Sequence, residues 1–156
     1  METRLEFNDR LLSLGLARVS EAAAIAATKF IGAGDEKAAD QAAVDAMRTQ
    51  LNMLDINGKV VIGEGEREEA PMLYVGEQVG SGNGPAVDIA LDPLEGTNLT
   101  AKDMPNALTV IAMGPKGSLL NAPDVYMEKL AYGSRYNKNF ISLEMSPTER
   151  IEKLSQ

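Results

Sequence analysis

The order of the periodic segments is the feature that most constrains the fold of this chain. Two alanine-rich segments come first, and their apolar spacing predicts helices over residues 8–31 and 35–54, with Asp35 as an N-cap for the second. Every β-like segment follows these helices: residues 59–66, 86–92, 107–114 and 118–123. This order predicts an α+β fold, in which two N-terminal helices pack on a mixed β-sheet, rather than a regular βαβ alternation.

The C-terminal part of the sequence gives fewer signals. Residues 140–143 predict one more strand, and Ser146, Pro147 and Glu149 form the pattern of a capped helix start. A length of 156 residues predicts a single domain over 1–156. The final amphipathic segment has barely two turns, so we expect a longer protein to continue beyond it; a frayed C-terminal helix is the alternative.

Composition excludes several classes of function. Hydrophobic residues make up 44% of the chain and aromatic residues only 4%, which predicts a folded, aliphatic core. Fifteen basic and 23 acidic residues give a net charge of −8, which argues against nucleic acid or an anionic membrane as the main partner. No apolar run approaches 18 residues and no signal peptide is visible, so we expect a soluble, cytoplasmic protein.

The sequence contains neither cysteine nor histidine. Thiol nucleophiles, histidine-based triads, disulfides and ordinary zinc sites are therefore excluded. Any metal or acid–base chemistry must use carboxylates, hydroxyls, lysines and backbone groups. Ligand sets made only of oxygen favour hard cations such as Mg²⁺ or Mn²⁺.

The segment DPLEGT at residues 92–97 combines two carboxylates with a Gly-Thr pair directly after a predicted strand. Asp92 ends the strand, Pro93 blocks its continuation, and Glu95 returns toward Asp92 across a tight turn. Gly96 and Thr97 then present consecutive backbone N–H groups and a hydroxyl, the donors of an anion-binding nest. Cations beside an anion cradle are what phosphoryl transfer needs. The alternative is an ordinary turn with a solvated acidic rim.

Two further segments carry closely spaced carboxylates, GDEKAAD (34–40) and GEGEREE (63–69). Alternation along a strand would place Glu64 and Glu66 on one face. Asp40 lies on an alanine-rich helix face, which is unusual for a solvated acid. The alternatives are a plain N-cap at Asp35 and, for GEREE, a solvated loop or the first turn of a helix.

DPLEGT resembles the signature of the Mg²⁺-dependent, lithium-sensitive sugar and inositol phosphatases. With AADQAAVDAMR (38–48), VIGEGEREEAPMLY (61–74) and NAPDVYMEKL (121–130), the chain resembles the bacterial class II fructose-1,6-bisphosphatases, with all four motifs in the family's order. The resemblance implies an incomplete layered α/β sandwich. It also implies hydrolysis of the 1-phosphate of fructose 1,6-bisphosphate by a metal-activated water, in gluconeogenesis or Calvin-type carbon metabolism.

Carried over residue by residue, the resemblance implies ligands for Mn²⁺ or Mg²⁺ at Asp40, Glu64, Asp92 and Glu95. Glu95, Gly96 and Thr97 would bind the substrate phosphate, and Tyr126 would contact the sugar phosphate. Thr97 would also position the attacking water together with Glu68. The family position of Glu68 is commonly Asp, so the carboxylate here extends about one bond further.

The resemblance covers the N-terminal, metal-binding portion of a family whose members are roughly twice as long. It implies that the family's C-terminal domain, with its basic residues for the distal phosphate, is absent from these 156 residues. Three interpretations follow: an active bisphosphatase, a non-catalytic metal-binding fragment that needs a C-terminal partner, or a phosphatase of inositol or nucleotide-derived monophosphates. A homo-oligomer is expected from the resemblance alone.

Overall fold

The computed structural model describes residues 9–65, 73–122 and 125–155. The chain divides into two compact units, Met1–Pro123 and Asp124–Gln156, each of which is considered by itself. The single domain predicted over 1–156 stays a prediction. Among the described helices, none combines the length and the apolar character needed to cross a membrane.

Two helices were predicted at the start of the chain, and the structure contains both. Helix α1 spans Asp9–Thr28 and α2 spans Glu36–Leu51, and the two helices pack against each other. The carboxylate of Asp35 accepts a hydrogen bond from the backbone N–H of Ala38 at 3.0 Å, which confirms it as the N-cap of α2. Both helices end about three residues earlier than predicted, and turns follow them.

Four strands form one mixed sheet in the order β2-β1-β3-β4. Their bounds are Asn57–Ile62 for β1, Gln78–Val79 for β2, Ala86–Glu95 for β3 and Leu108–Pro115 for β4. Strands β1 and β3 are parallel, whereas β1–β2 and β3–β4 are antiparallel. A short helix, α3 (Thr97–Ala101), follows β3. Helices packed on a mixed four-stranded sheet confirm the predicted α+β class.

The core lies between the helix pair and one face of the sheet. Helix α1 packs on β3 and β4, and α2 packs on β3 and α3. Alternate residues of β3 enter this core, including Val87, Ile89 and Leu91. The helices contribute mainly small or aliphatic side chains, so the two layers approach closely, as the alanine content predicted. The buried helix residues are Val19, Ala23, Ala27, Ala39, Ala43, Val44, Met47 and Leu51.

Three predictions about strands are wrong. Residues 118–122 form no strand, because the chain turns after β4, where the buried Asp88 carboxylate accepts the N–H of Gly117 at 2.7 Å. Residues 140–143 form bends and turns. Strand β3 does not stop at Asp92 but continues through Pro93 to Glu95, because the β3–β4 register shifts between Asp92 and Glu95. Such an irregularity removes the need for a proline N–H.

The second unit contains one regular element, helix α4 (Pro147–Leu154), in its described part. Ser146 accepts the N–H of Glu149 at 3.3 Å, and the Glu149 carboxylate accepts the N–H of Ser146 at 2.7 Å. This capping box confirms the predicted helix start. The ammonium of Lys153 donates to the carbonyl of Phe140 at 3.0 Å, and Phe140 stacks on Tyr136 with ring centroids 5.0 Å apart.

Candidate metal centre

The ends of two neighbouring parallel strands bring acidic residues to the same edge of the sheet. Strand β1 ends at Ile62, which pairs with Ala90 of β3. Glu64 follows β1 by two residues, and Asp92 follows Ala90 by two residues. Because β1 and β3 run in the same direction, their carboxyl ends coincide, and this places Glu64 beside Asp92. Glu64 was predicted to lie within a strand, but β1 has already ended, so strand alternation does not set its direction.

The backbone around Glu64 is closely packed. Its N–H donates to the carbonyl of Leu73 at 3.1 Å, and the N–H of Val75 donates to the carbonyl of Gly65 at 3.4 Å. A Cβ atom at Gly63 would lie 2.3 Å from the Leu73 carbonyl oxygen, so only glycine fits there. These contacts hold the chain segment before Glu64 against the segment that begins at Leu73. The backbone position of Glu64 is therefore well defined.

Asp40 reaches the same edge from helix α2. It lies one turn after the beginning of α2, and its neighbours Ala39 and Ala43 are fully buried, so α2 presents Asp40 close to the core. The side chain is half-buried, and no described residue forms a hydrogen bond with its buried Oδ1 atom. Burial raises the pKa of Asp40, because the charged carboxylate loses solvation.

Glu64 and Asp92 are more strongly perturbed than Asp40. Burial raises the pKa of Glu64 to about 7, and the negative charges of Asp40 and Asp92 and a hydrogen bond with Asp92 add to this rise. Burial likewise raises the pKa of Asp92 to about 6, and a hydrogen bond with Glu95 and the charges of Glu95 and Asp40 add to this rise. The hydrogen bond that Asp92 accepts from the N–H of Leu94 lowers its pKa. The charge of Asp40 therefore acts on both Glu64 and Asp92, Asp92 acts on Glu64, and Glu95 acts on Asp92.

The turn after β3 places Gly96 and Thr97 next to these carboxylates in the chain. Gly96 has a φ of +84°, a left-handed conformation that favours glycine, and it precedes α3. The first N–H groups of α3, from Thr97 and Asn98, have no acceptor within the helix. Thr97 is half-buried, whereas Glu95 is exposed. This turn thus offers backbone donors and a hydroxyl at the end of β3 that carries Asp92.

A divalent cation fits this group of side chains chemically. The buried Oδ1 of Asp40 and Oε2 of Glu64 have no hydrogen-bond partner among the described residues, and a cation would satisfy both oxygens. The donors are all oxygens, as Mg²⁺ and Mn²⁺ prefer. Within the described ranges, however, no three acidic side chains already converge on one ion position. Binding would therefore require rotation of these side chains toward one position. A cation at that position would offset the repulsion between the carboxylates.

Two further site residues were predicted, Glu68 and Tyr126. Glu68 lies in residues 66–72, outside the described part of the chain, and so does Glu66. Tyr126 belongs to the second unit, where its side chain is fully exposed. The roles predicted for Glu68 and Tyr126 stay predictions.

Sequence reasoning missed a partly buried ion pair between Arg48 and Glu77. The guanidinium of Arg48 on α2 contacts the carboxylate of Glu77, with Nε 2.8 Å from Oε1 and Nη2 3.3 Å from Oε2. The only sequence signal was an arginine on the alanine-rich helix that carries Asp40. Its partner, 29 positions away, could not be chosen among the many acidic residues without the fold.

Comparison with known proteins shows which family this chain resembles in sequence. Residues 10–156 match the model of a family described as bacterial fructose-1,6-bisphosphatase, glpX-encoded. The chain is 59% identical over 124 residues to fructose-1,6-bisphosphatase 1 class 2 of Escherichia coli strain K12. It is 50% identical over 147 residues to fructose-1,6-bisphosphatase class 2 of Haemophilus influenzae. It is also 49% identical over 148 residues to a D-fructose 1,6-bisphosphatase class 2/sedoheptulose 1,7-bisphosphatase of Prochlorococcus marinus strain MIT 9303.

These matches cover most of the chain but less than half of each relative. The aligned part is 80% of the chain and 37% of the Escherichia coli protein. For the Haemophilus influenzae and Prochlorococcus marinus proteins it is 94% and 95% of the chain, and 44% of each relative. The residues that carry the candidate metal centre thus belong to the part shared with relatives of more than twice the aligned length.

Proposed function

The chain belongs to the family of bacterial, glpX-encoded fructose-1,6-bisphosphatases, and from this premise we propose that it carries the metal-binding part of a sugar bisphosphatase. The reaction would be hydrolysis of the 1-phosphate of fructose 1,6-bisphosphate. The observation that carries this proposal is the cluster of carboxylates with raised pKa values, in which one oxygen of Asp40 and one of Glu64 are buried without a described partner. Family membership alone would not locate the chemistry, and the cluster supports this location.

The proposal assigns the cation to four carboxylates: Asp40, Glu64, Asp92 and Glu95. Mn²⁺ or Mg²⁺ bound there would supply a nucleophilic water of lowered pKa and would neutralise charge on the phosphate. The raised pKa values of Glu64 and Asp92 support this assignment, since a cation stabilises the charged forms that burial disfavours.

The remaining roles belong to protein groups around the cluster. We assign the N–H groups after Gly96 and the hydroxyl of Thr97 to the scissile phosphate, because they follow Asp92 directly in the β3–α3 turn. Thr97 and Glu68 would orient the attacking water, and the carboxylate of Glu68 would accept its proton. Tyr126 would contact the sugar phosphate. These three side-chain roles come from the family motifs.

Phosphate release from fructose 1,6-bisphosphate with Mn²⁺ or Mg²⁺ tests the proposal. ³¹P NMR identifies which phosphate leaves, and we expect fructose 6-phosphate as the product. Asp92→Asn should lower turnover at least about 100-fold, because it removes a charge from the cluster. Asp55→Asn, a change at an exposed acid that contacts Ser81, is the matched control and should keep turnover unchanged. Release that Asp92→Asn leaves unaffected would contradict the assignment.

A second candidate function is metal binding without turnover. It is favoured by one observation: the chain covers only 37–44% of the length of its relatives. In this case Mn²⁺ binds, no phosphate is released, and addition of the separately produced remainder of a full-length relative restores release.

Sedoheptulose 1,7-bisphosphate belongs in the same assay, because the Prochlorococcus marinus relative is named for both substrates. Hydrolysis of an inositol monophosphate at a higher rate would instead favour the third interpretation.

A further inference from the structure

The ion pair between Arg48 and Glu77 connects the helix that carries Asp40 with the backbone that holds Glu64. Arg48 contributes two nitrogens to one carboxylate, the forked contact that arginine forms best. The side chains are only 26% and 13% exposed, in contrast to 69% and 54% for the surface pair Arg18–Glu21. The contact is therefore partly shielded from solvent and geometrically defined.

Glu77 in turn fixes the backbone beside the cluster. Its Oε2 accepts the N–H of Tyr74 at 3.3 Å, and its N–H donates to the Tyr74 carbonyl at 3.0 Å. Its own carbonyl accepts the N–H of Val60 in β1 at 2.9 Å. Tyr74 directly follows Leu73, whose carbonyl accepts the N–H of Glu64. A continuous series of contacts thus leads from Arg48 on α2 through Glu77 and residues 73–74 to Glu64.

A purely stabilising role does not explain this arrangement well. Burying two charges costs solvation, and an apolar pair of similar size is often at least as stable. What an apolar pair cannot supply is the acceptor for the Tyr74 N–H and a fixed direction between α2 and the 73–77 segment. Asp40 and Glu64 each contribute a buried oxygen that has no hydrogen-bond partner among the described residues. Asp40 lies on α2 and Glu64 is hydrogen-bonded to the 73–77 segment, and the ion pair connects α2 with this segment.

We propose that the Arg48–Glu77 ion pair is a positioning device that fixes the backbone of Glu64 relative to helix α2, so that the Glu64 and Asp40 carboxylates can bind one divalent cation. This inference rests on the proposed metal site. Neither residue touches the cation; both act through the backbone of residues 73–74 and Glu64. Arg48 and Glu77 are thus positioning residues, and their loss misplaces Glu64 without removing any metal ligand.

Mn²⁺ titration by calorimetry or electron paramagnetic resonance tests the proposal on the full chain. Arg48→Met and Glu77→Gln should each raise the Kd for Mn²⁺ by about 10-fold, the usual effect of outer partners on a metal site. Charge alone predicts the opposite for Arg48→Met, because removing a positive charge favours cation binding. Arg18→Met is the matched control with the same charge change on a surface pair, and its Kd should stay the same or fall slightly.

A double-mutant cycle with Glu64 tests whether Arg48→Met changes the Kd by displacing Glu64 or by a general loss of structure. In a Glu64→Gln background, Arg48→Met should have no further effect on the Kd, because the group that it positions is already gone. An equal effect in both backgrounds would overturn the proposal. The paired apolar replacement, Arg48→Met with Glu77→Leu, should fold as stably as the parent and still bind Mn²⁺ about 10-fold more weakly. Full affinity in this double variant would also overturn it.

Hydrogen exchange of the Glu64 amide supplies a readout that needs no metal. Glu77→Gln should increase the exchange rate of this amide at least about 10-fold and leave the amides of β4 unchanged, because it loosens only the local contact with Leu73. If the parent chain does not bind Mn²⁺, the proposed metal site fails, and exchange alone decides the positioning role. Unchanged exchange at Glu64 would overturn it, whatever the metal result.

Discussion

The charge of Glu64 should make the metal-free chain less stable as the pH rises, and Glu64→Gln should remove this effect. The pKa of Glu64 is raised from its ordinary value of 4.5 to about 7 in the folded chain. Between these values the folded chain binds more protons than the unfolded chain. The free energy of unfolding therefore falls as the pH rises through this window, which is opposite to the usual behaviour of paired carboxylates.

The magnitude follows from the size of the pKa change. A rise from 4.5 to about 7 corresponds to at most roughly 3.4 kcal/mol of lost stability above pH 7. Glu64 is only half-buried, so solvent screening reduces this to about 1–2 kcal/mol. At pH 8 without metal, Glu64→Gln should thus be more stable than the parent chain by about 1–2 kcal/mol, and the difference should shrink toward pH 5.

Urea unfolding of both proteins from pH 5 to pH 8 in EDTA measures this difference. Glu36→Gln, at an exposed acid in the first turn of α2, is the control and should keep the pH dependence of the parent. Saturating Mn²⁺ at pH 8 should stabilise the parent chain more than Glu64→Gln, because only the parent has the full ligand set. Parallel pH curves for the parent and Glu64→Gln, or a less stable Glu64→Gln at pH 8, would show that the charge of Glu64 does not destabilise the folded chain.

Three further predictions concern the stability of the folded chain. Urea unfolding tests the glycine and methionine variants, and hydrogen exchange tests the serine variant. Gly84→Ala should lower the free energy of unfolding by at least about 3 kcal/mol, because φ is +98° and the new Cβ would lie 2.1 Å from the Asp55 carbonyl oxygen. Gly82→Ala, where φ is +79° and no atom lies within contact distance of the new Cβ, should lower it by only about 1 kcal/mol. Met47→Ala should cost about 2–5 kcal/mol because the side chain is fully buried, whereas Met53→Ala, 66% exposed, should cost less than about 0.5 kcal/mol. Ser146→Ala should remove the N-cap of α4 and destabilise this helix by about 1 kcal/mol. It should also speed hydrogen exchange of the Glu149 N–H, which donates to the Ser146 side chain. Equal costs within either matched pair, or unchanged exchange at α4, would contradict these assignments.

Much of the fold could be predicted because its signals are local. Alanine-rich periodicity indicated α1 and α2, Asp35 indicated the start of α2, and the Ser146 pattern indicated α4; the structure confirms each. The failures are places where tertiary contacts override local signals. Pro93 does not end β3, because the register shift at this position removes the need for its N–H. Residues 118–122 looked like a strand, but the contact between Asp88 and Gly117 turns the chain there.

The sequence indicated candidate site residues, but it could not give their geometry. The acidic segments were visible as unusual carboxylates, and the family motifs named the same positions. Sequence could not show that Glu64 lies beyond the end of β1, because the strand's length depends on pairing with β3. The connection between Arg48 and Glu77 was also invisible, because it joins residues 29 positions apart through the packing of α2 on the sheet.

Asp40, Glu64, Asp92 and Glu95 are proposed to form one binding site for a divalent cation. Anomalous diffraction at the manganese absorption edge, from crystals grown with Mn²⁺, tests this site most directly. We expect anomalous peaks within about 2.0–2.3 Å of carboxylate oxygens from this cluster. We also expect that the buried oxygens of Asp40 and Glu64, which have no partner among the described residues, contact the metal. Mn²⁺ peaks at other acidic residues, with none at these four, would contradict it.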